Sequence, residues 1–246
     1  MIKYLLFLGI GHILGDFYLQ STKKSGKKSE SFSDVLWHAL QYYIAFLLTA
    51  IPIFGTDMIL AATYASAIHM LIDTVKYLIL RKKKISKDYV VFLMDQGFHI
   101  LSFFILADVM YRWNFTIQYL REISYWMSLF HCDSENVVKW LLAILLMDRP
   151  VNVFIQSFLG EYRPKTDDTI IRADRKAGRK IGTIERLIML LFLSKDQFVA
   201  IGFVLTAKSV ARYDKITKDE KFAEYYLLGT LVSTLCVILC RTLILP

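Results

Sequence analysis

Residues 58–72 read MILAATYASAIHMLI, and this stretch decides the fold class. It contains no Asp, Glu, Lys or Arg, and the run continues to residue 80 with only Asp73 and Lys76 as charges. An α-helix rises 1.5 Å per residue and a bilayer's hydrocarbon core is about 30 Å thick, so roughly 20 mostly apolar residues cross it. The rest of the chain has the same character. Hydrophobic residues make up 55% of the 246, charged residues 21%, and the mean hydropathy is +0.42. A soluble domain carries about 45–50% apolar and about 25% charged residues. The composition excludes a soluble enzyme, a disordered chain and a disulfide scaffold. Three cysteines, Cys132, Cys236 and Cys240, are too few for a disulfide framework. The chain reads as all-α, a polytopic transmembrane helical bundle.

Apolar runs predict about eight membrane helices, at 3–20, 35–54, 58–80, 88–111, 135–159, 180–194, 197–213 and 222–244. The sixth and seventh are short and separated by Lys195 and Asp196, which suits a re-entrant or tilted hairpin. Asp148, Arg149 and Pro150 interrupt the fifth, and the proline predicts a kink. The first run follows only Lys3, carries His12 and Asp16 in its core and has no small-x-small cleavage site, so it reads as a retained helix. Between the halves, 112–134 contains Trp113, Tyr119, Tyr125, Trp126 and Phe130, the pattern of an interfacial helix near 115–130. The organisation expected is a membrane half at 1–111, an interfacial segment at 112–134 and a second membrane half at 135–246.

Charge orders these segments. The formal net charge is +8, and twenty of the thirty lysines and arginines fall in four segments, 21–34, 81–87, 160–180 and 212–221. The alternate segments carry only Lys3, Arg112, Arg121 and Lys195. The positive-inside rule then places the basic loops in the cytoplasm and both termini outside, in a multi-pass protein of the inner (plasma) membrane. Because topology accounts for these short, interrupted basic runs, nucleic acid is not expected as a partner. The lipid bilayer is, and the oligomeric state stays open, a homo-oligomer included.

Ionisable groups within a bilayer are expensive and mark functional or paired sites. The first half carries His12 and Asp16, then His38, then His69, Asp73 and Lys76, then Asp95 and His99. His12–Asp16, His69–Asp73 and Asp95–His99 are each spaced i, i+4, so the members of each pair share one helix face. At 1.5 Å per residue all these groups lie roughly 5–16 Å from the inner ends of their helices, in one half of the membrane. Imidazoles and carboxylates so placed can ligate a divalent metal, Zn²⁺ before Mg²⁺ or Mn²⁺. The metal-ligand candidates are His12, Asp16, His69, Asp73, Asp95 and His99, with Asp95 and His38 as the candidate catalytic groups. The alternative at this point is interhelical hydrogen bonding without a ligand. The fifth histidine, His131, falls in the interfacial segment and reads as a surface residue.

The second half carries basic groups. Arg149, Arg186, Lys208 and Arg212, with Lys76 from the first half, are candidates for binding an anionic small molecule or lipid headgroup. Glu185 and Glu224 offer the competing role of structural ion pairs.

Gly11-His12-Ile13-Leu14-Gly15-Asp16-Phe17 with Gln20, His69-x-x-Ile72-Asp73-x-x-Lys76 and Asp95-Gln96-x-x-His99 resemble the bacterial membrane family called domain of unknown function 3307. Gly178-Arg179-x-Ile181-Gly182-x-x-Glu185-Arg186, Ile201-Gly202, Ala207-Lys208-Ser209 and Glu224-Tyr225 with Gly229-Thr230 resemble its longer members. The resemblance implies an integral membrane protein and supplies no reaction. The His-x3-Asp pairs are also similar to those of predicted membrane-bound metal-dependent hydrolases. Three functions are expected in turn: an intramembrane metal-dependent hydrolase acting on an anionic or lipid substrate; a transporter or channel for a metal ion, proton or small anion; and a structural or regulatory membrane component.

Overall fold

The computed structural model describes residues 1–20, 31–82, 88–160, 162 and 168–245. Its regular structure is helical, with no strand among the described residues. In chain order the elements are α1 (Ile2–Ile13), a π-helical segment (Leu14–Leu19), α2 (Phe32–Phe54), a 3₁₀ turn (Thr56–Met58), α3 (Ile59–Lys82), α4 (Asp88–Arg112), α5 (Arg121–Leu129), α6 (Ser134–Met147), α7 (Arg149–Phe158), α8 (Asp168–Ser194), α9 (Phe198–Val210), α10 (Tyr213–Lys218) and α11 (Glu220–Ile244). The expected basic loop residues at 21–30, 83–87 and 163–167 lie outside the described residues.

Among the described residues, five stretches are long and apolar enough to cross a membrane: Ile2–Leu19, Phe32–Phe54, Thr56–Arg81, Tyr89–Arg112 and Glu220–Ile244. The count of eight is not reached, for physical reasons at each of the other three runs. The run at 135–159 breaks at Asp148 (φ −91, ψ −100) into helices of 14 and 10 residues. Pro150 opens the second of these, where its missing N–H is harmless. The run at 180–194 is the end of α8, whose earlier turns are polar. Helix α9, at 13 residues, is apolar but too short to cross upright. The interfacial segment does contain a helix, α5, none of whose side chains is buried; Tyr125 and Trp126 are exposed on it.

The chain divides into two compact units, Met1–Leu142 and Ala143–Pro246. In the first, α1 packs on α2 and α4, α2 on α3, and α3 on α4. One end of this bundle is filled by apolar side chains. Phe7 stands edge-on to Phe46 and Phe54, with ring centroids 5.4 and 5.5 Å apart, over Met58, Ala61, Ala62 and Phe103. The segment after α4 closes that end: Tyr4 Oη donates to the Phe115 carbonyl at 2.6 Å, and Leu120 N–H to the Ile53 carbonyl at 2.9 Å. Radially the unit is inverted relative to a soluble protein. Leu71, Met94, Leu101 and Ile105 are each more than half exposed, while His12, His69, Asp73 and His99 are buried. A water-facing surface would not favour that distribution; hydrocarbon does. The chain is a membrane helical bundle.

Two glycines set the spacing of α1 and α2. A Cβ on Gly11 would lie 2.6 Å from the Phe46 ring, and one on Gly15 would lie 2.5 Å from Tyr42 Cδ2. Both helices therefore approach closely, as small residues allow in membrane interfaces, and the contact carries Tyr42 and His38 up to the end of α1. Gly97, by contrast, has nothing within 4 Å of its would-be Cβ. Gly15→Leu is expected to separate α1 from α2 at a cost of about 1–3 kcal/mol, the usual range for overpacking. Gly97→Ala should leave stability unchanged or slightly raised; thermal unfolding of the detergent-solubilised protein distinguishes the two.

Candidate functional site

At the end of the first unit opposite the aromatic core, the polar residues of all four helices converge. Asp16 lies at the centre, in the π-helical segment, a wide-turn geometry that is rare and recurs at functional sites. Asp16 Oδ1 accepts hydrogen bonds from His69 Nε2 at 2.7 Å and from His38 Nε2 at 3.2 Å. Its other oxygen lies 3.7 Å from His12 Nδ1. His99 Nε2 is 3.0 Å from His69 Nδ1. The imidazole centroids of His69 and His99 are 4.2 Å apart, and those of His12 and His99 are 5.1 Å apart.

These contacts fix the tautomers by chemistry. A carboxylate can only accept, so His69 and His38 carry their protons on Nε2. Neutral His69 then offers Nδ1 as an acceptor, and His99 donates to it from Nε2. One nitrogen on each outer ring is left over: His38 Nδ1 and His99 Nδ1 are buried and have no hydrogen-bond partner. His12 is fully engaged. Its Nε2 donates to Gln96 Oε1 at 3.1 Å, and Tyr42 Oη donates to its Nδ1 at 3.2 Å. Gln96 Nε2 in turn donates to Asp95 Oδ2 at 3.4 Å.

Asp73 and Asp95 form the rim. Lys76 Nζ stands between them, 2.7 Å from Asp73 Oδ1 and 2.9 Å from Asp95 Oδ1. Asp73 Oδ2 lies 3.5 Å from His38 Nε2 and 3.7 Å from His69 Nδ1. With the imidazoles neutral, three carboxylates face one ammonium, an excess of two negative charges in a low-dielectric interior. Such an excess calls for cations. Three donor groups have ligand atoms mutually within 4.8 Å: His12, Asp16, His69 and His99; His38, His69 and Asp73; and Asp73, Asp95 and His99. Mixed imidazole and carboxylate donors at this spacing suit a divalent metal. The unpartnered nitrogens of His38 and His99 and the three carboxylates fit one as well.

All six metal-ligand candidates, both candidate catalytic residues and Lys76 thus meet in one cluster. Tyr42 and Gln96 were not among the candidates. Tyr42 had a signal, its i, i+4 spacing from His38. Gln96 stood in the motif Asp95-Gln96-x-x-His99, three residues before His99, without a role of its own.

The remaining candidates for anion binding belong to the second unit, where α8 packs on α7, α9 and α11. Arg186 is fully buried and bound from three sides. Its Nε donates to the Met147 carbonyl at 2.7 Å, Nη1 to Ser233 Oγ at 3.4 Å, and Nη2 to Asn152 Oδ1 at 2.9 Å and Thr183 Oγ1 at 3.2 Å. Thr183 Oγ1 donates to Asp148 Oδ1 at 3.1 Å. Arg186 therefore satisfies the carbonyl that the break between α6 and α7 leaves open. Lys208 Nζ pairs with Glu185 Oε2 at 2.6 Å and lies over the Tyr226 ring. Arg149 is exposed and Arg212 half-buried at the start of α10.

Asp16→Ala removes the acceptor of two buried imidazole donors and is expected to cost about 1–3 kcal/mol for each donor left unsatisfied. Arg186→Met opens the Met147 carbonyl and should cost about 1.5–3 kcal/mol for each charged hydrogen bond lost. Both are read as a fall in midpoint temperature in detergent.

No curated protein and no solved structure matches the chain. A family match exists over residues 4–128, which hold every residue of the His/Asp cluster; the residues of the second unit that resemble longer members lie outside it. The matched family carries the description Protein of unknown function (DUF3307), the match covers more than half of the chain, and the chain belongs to that family.

Proposed function

We propose that this chain is an integral membrane protein that holds a divalent cation, Zn²⁺ in preference to Mg²⁺ or Mn²⁺, in its His/Asp cluster, and that it is a hydrolase of an anionic or lipid substrate. One observation carries the proposal: His12, Asp16, His38, His69, Asp73, Asp95 and His99 meet in a buried cluster with three carboxylates to one ammonium and two imidazole nitrogens without a hydrogen-bond partner. A metal held there would acidify a bound water and polarise a phosphoryl or acyl oxygen. The chain's own groups supply the rest. His12, Asp16, His69 and His99 form the deepest donor set; the bonds of His69 to Asp16 and of His99 to His69, and those of His12 to Tyr42 and Gln96, hold each ring in one orientation. Asp95, bonded to the partly exposed Lys76, acts as base. Lys76, whose side chain is 34% exposed, meets the substrate's negative charge. His38 reaches both Asp16 and Asp73 from α2 and sits where a proton is handed inward.

The alternation of basic and non-basic segments supports both termini outside and the cluster toward the cytoplasmic leaflet of a plasma membrane. With four crossings up to Arg112 and one at α11, the chain must cross an odd number of times between them. The broken pair α6–α7 serves as that crossing, and the end of α8 with α9 forms a hairpin. A second reading, passage of protons or metal ions, is favoured by the hydrogen-bonded chain from His99 through His69 to Asp16.

Protein purified without chelator is expected to contain about one zinc per chain by elemental analysis, and to lose it with a fall in midpoint temperature on dialysis against EDTA. On phosphatidylglycerol–phosphatidylethanolamine vesicles it should release phosphate or fatty acid. Asp95→Asn should slow that release by about 10²–10⁴, the range for a lost general base. Absence of metal together with indifference to EDTA refutes the metal centre. Stoichiometric metal without release, but with zinc or proton flux in sealed proteoliposomes, favours passage over hydrolysis.

A further inference from the structure

We propose that Lys76 is a tethered cation that fills the second of two adjoining cation sites, so that the wild-type centre accepts one divalent ion and the centre without the ammonium accepts two. The inference rests on the metal reading above and concerns its stoichiometry. Two of the donor groups, one of His12, Asp16, His69 and His99 and the other of Asp73, Asp95 and His99, share only His99. In the second group a positive charge is already in place. Lys76 Nζ lies within 2.9 Å of a carboxylate oxygen on each of Asp73 and Asp95, where a divalent ion ligated by both would sit. The residue that joins the groups, His99, is 1% exposed and has an unpartnered Nδ1. The second group is therefore more than a pair of acids: it contains a buried imidazole with one uncommitted nitrogen.

Charge explains the limit of one ion. Asp16, Asp73 and Asp95 against Lys76 leave an excess of two negative charges, which one divalent ion neutralises. A second ion beside the ammonium would bring two further positive charges to within a few ångströms of both cations in a medium that screens poorly. Without the ammonium, Asp73 and Asp95 are open, and a second ion replaces one positive charge by two on the same oxygens. Position agrees with this role. Lys76 follows Asp73 by three residues on α3, and its partly exposed stem enters from the rim.

The test loads wild type, Lys76→Met and Lys76→Arg with Zn²⁺ or Mn²⁺ in detergent at one pH, followed by elemental analysis and titration calorimetry. Wild type and Lys76→Arg are expected to hold one ion per chain and Lys76→Met two. Lys76→Gln, whose amide can still bond to Asp73, takes its place if the methionine variant does not fold. The double variant Lys76→Met/Asp95→Asn should return to one ion, because the second group has lost a carboxylate. One ion in the neutral variant at wild-type affinity, or two ions in wild type, overturns the role of Lys76 and leaves the metal centre standing. No ion in any variant overturns both.

Discussion

A carboxylate inside a helix bundle must be met by a hydrogen-bond donor or a positive charge, because the hydration it has lost is worth many kcal/mol in a low-dielectric medium. Asp16 is the group on which this requirement falls hardest. It is held by His38 from α2 and His69 from α3, and the same oxygen serves both. Those two bonds tie three segments together and decide the protonation of both rings. They also pass the constraint outward, since His69 can then only accept from His99. Gly11 and Gly15 belong to the same arrangement, because any side chain at either would hold α2, and with it His38 and Tyr42, away from Asp16.

The second unit answers the same constraint from the opposite charge. The chain breaks at Asp148, and the carbonyl of Met147 loses its place in the helical ladder. Arg186 covers that carbonyl and bonds to Asn152, Thr183 and Ser233. A guanidinium presents five donors in a fixed fork, so one buried side chain can satisfy several acceptors. Arg186 here secures a helix break, as Lys208 secures Glu185. In the first unit the ionic groups differ in kind: they retain unused acceptors and unbalanced charge.

Several parts of this were readable from spacing. Pairs at i, i+4 place His12 with Asp16 and His69 with Asp73 whatever the fold, and antiparallel neighbours of similar length bring such pairs to a common depth. That geometry allows the convergence of His12, Asp16, His38, His69, Asp73, Asp95 and His99, and the packing of the helices brings it about. Tyr42 was missed because a tyrosine in an apolar helix is ordinarily core, and its hydroxyl matters only once Gly15 lets it approach. Five long apolar helices, rather than the expected eight, stand out for a related reason. Hydropathy sums side chains and is blind to the backbone, so it carried one helix through Asp148 and counted the apolar end of α8 as a span of its own.

The sequence by itself determined that this chain is an all-helical membrane protein, because apolar runs of about 20 residues have no other stable home, and that its ionisable groups recur with helical period. Only the tertiary structure decided which of them share a proton or a charge. Hydrogen bonds and ion pairs depend on ångström distances between helices far apart in the chain. Those distances are set by the close approach at Gly11 and Gly15 and by the packing of α3 against α4, neither of which a linear pattern encodes. The placing of Lys76 between Asp73 and Asp95, rather than against a ligand, is of the same kind: the spacing of Lys76 from Asp73 was visible, but Asp95 comes from the next helix.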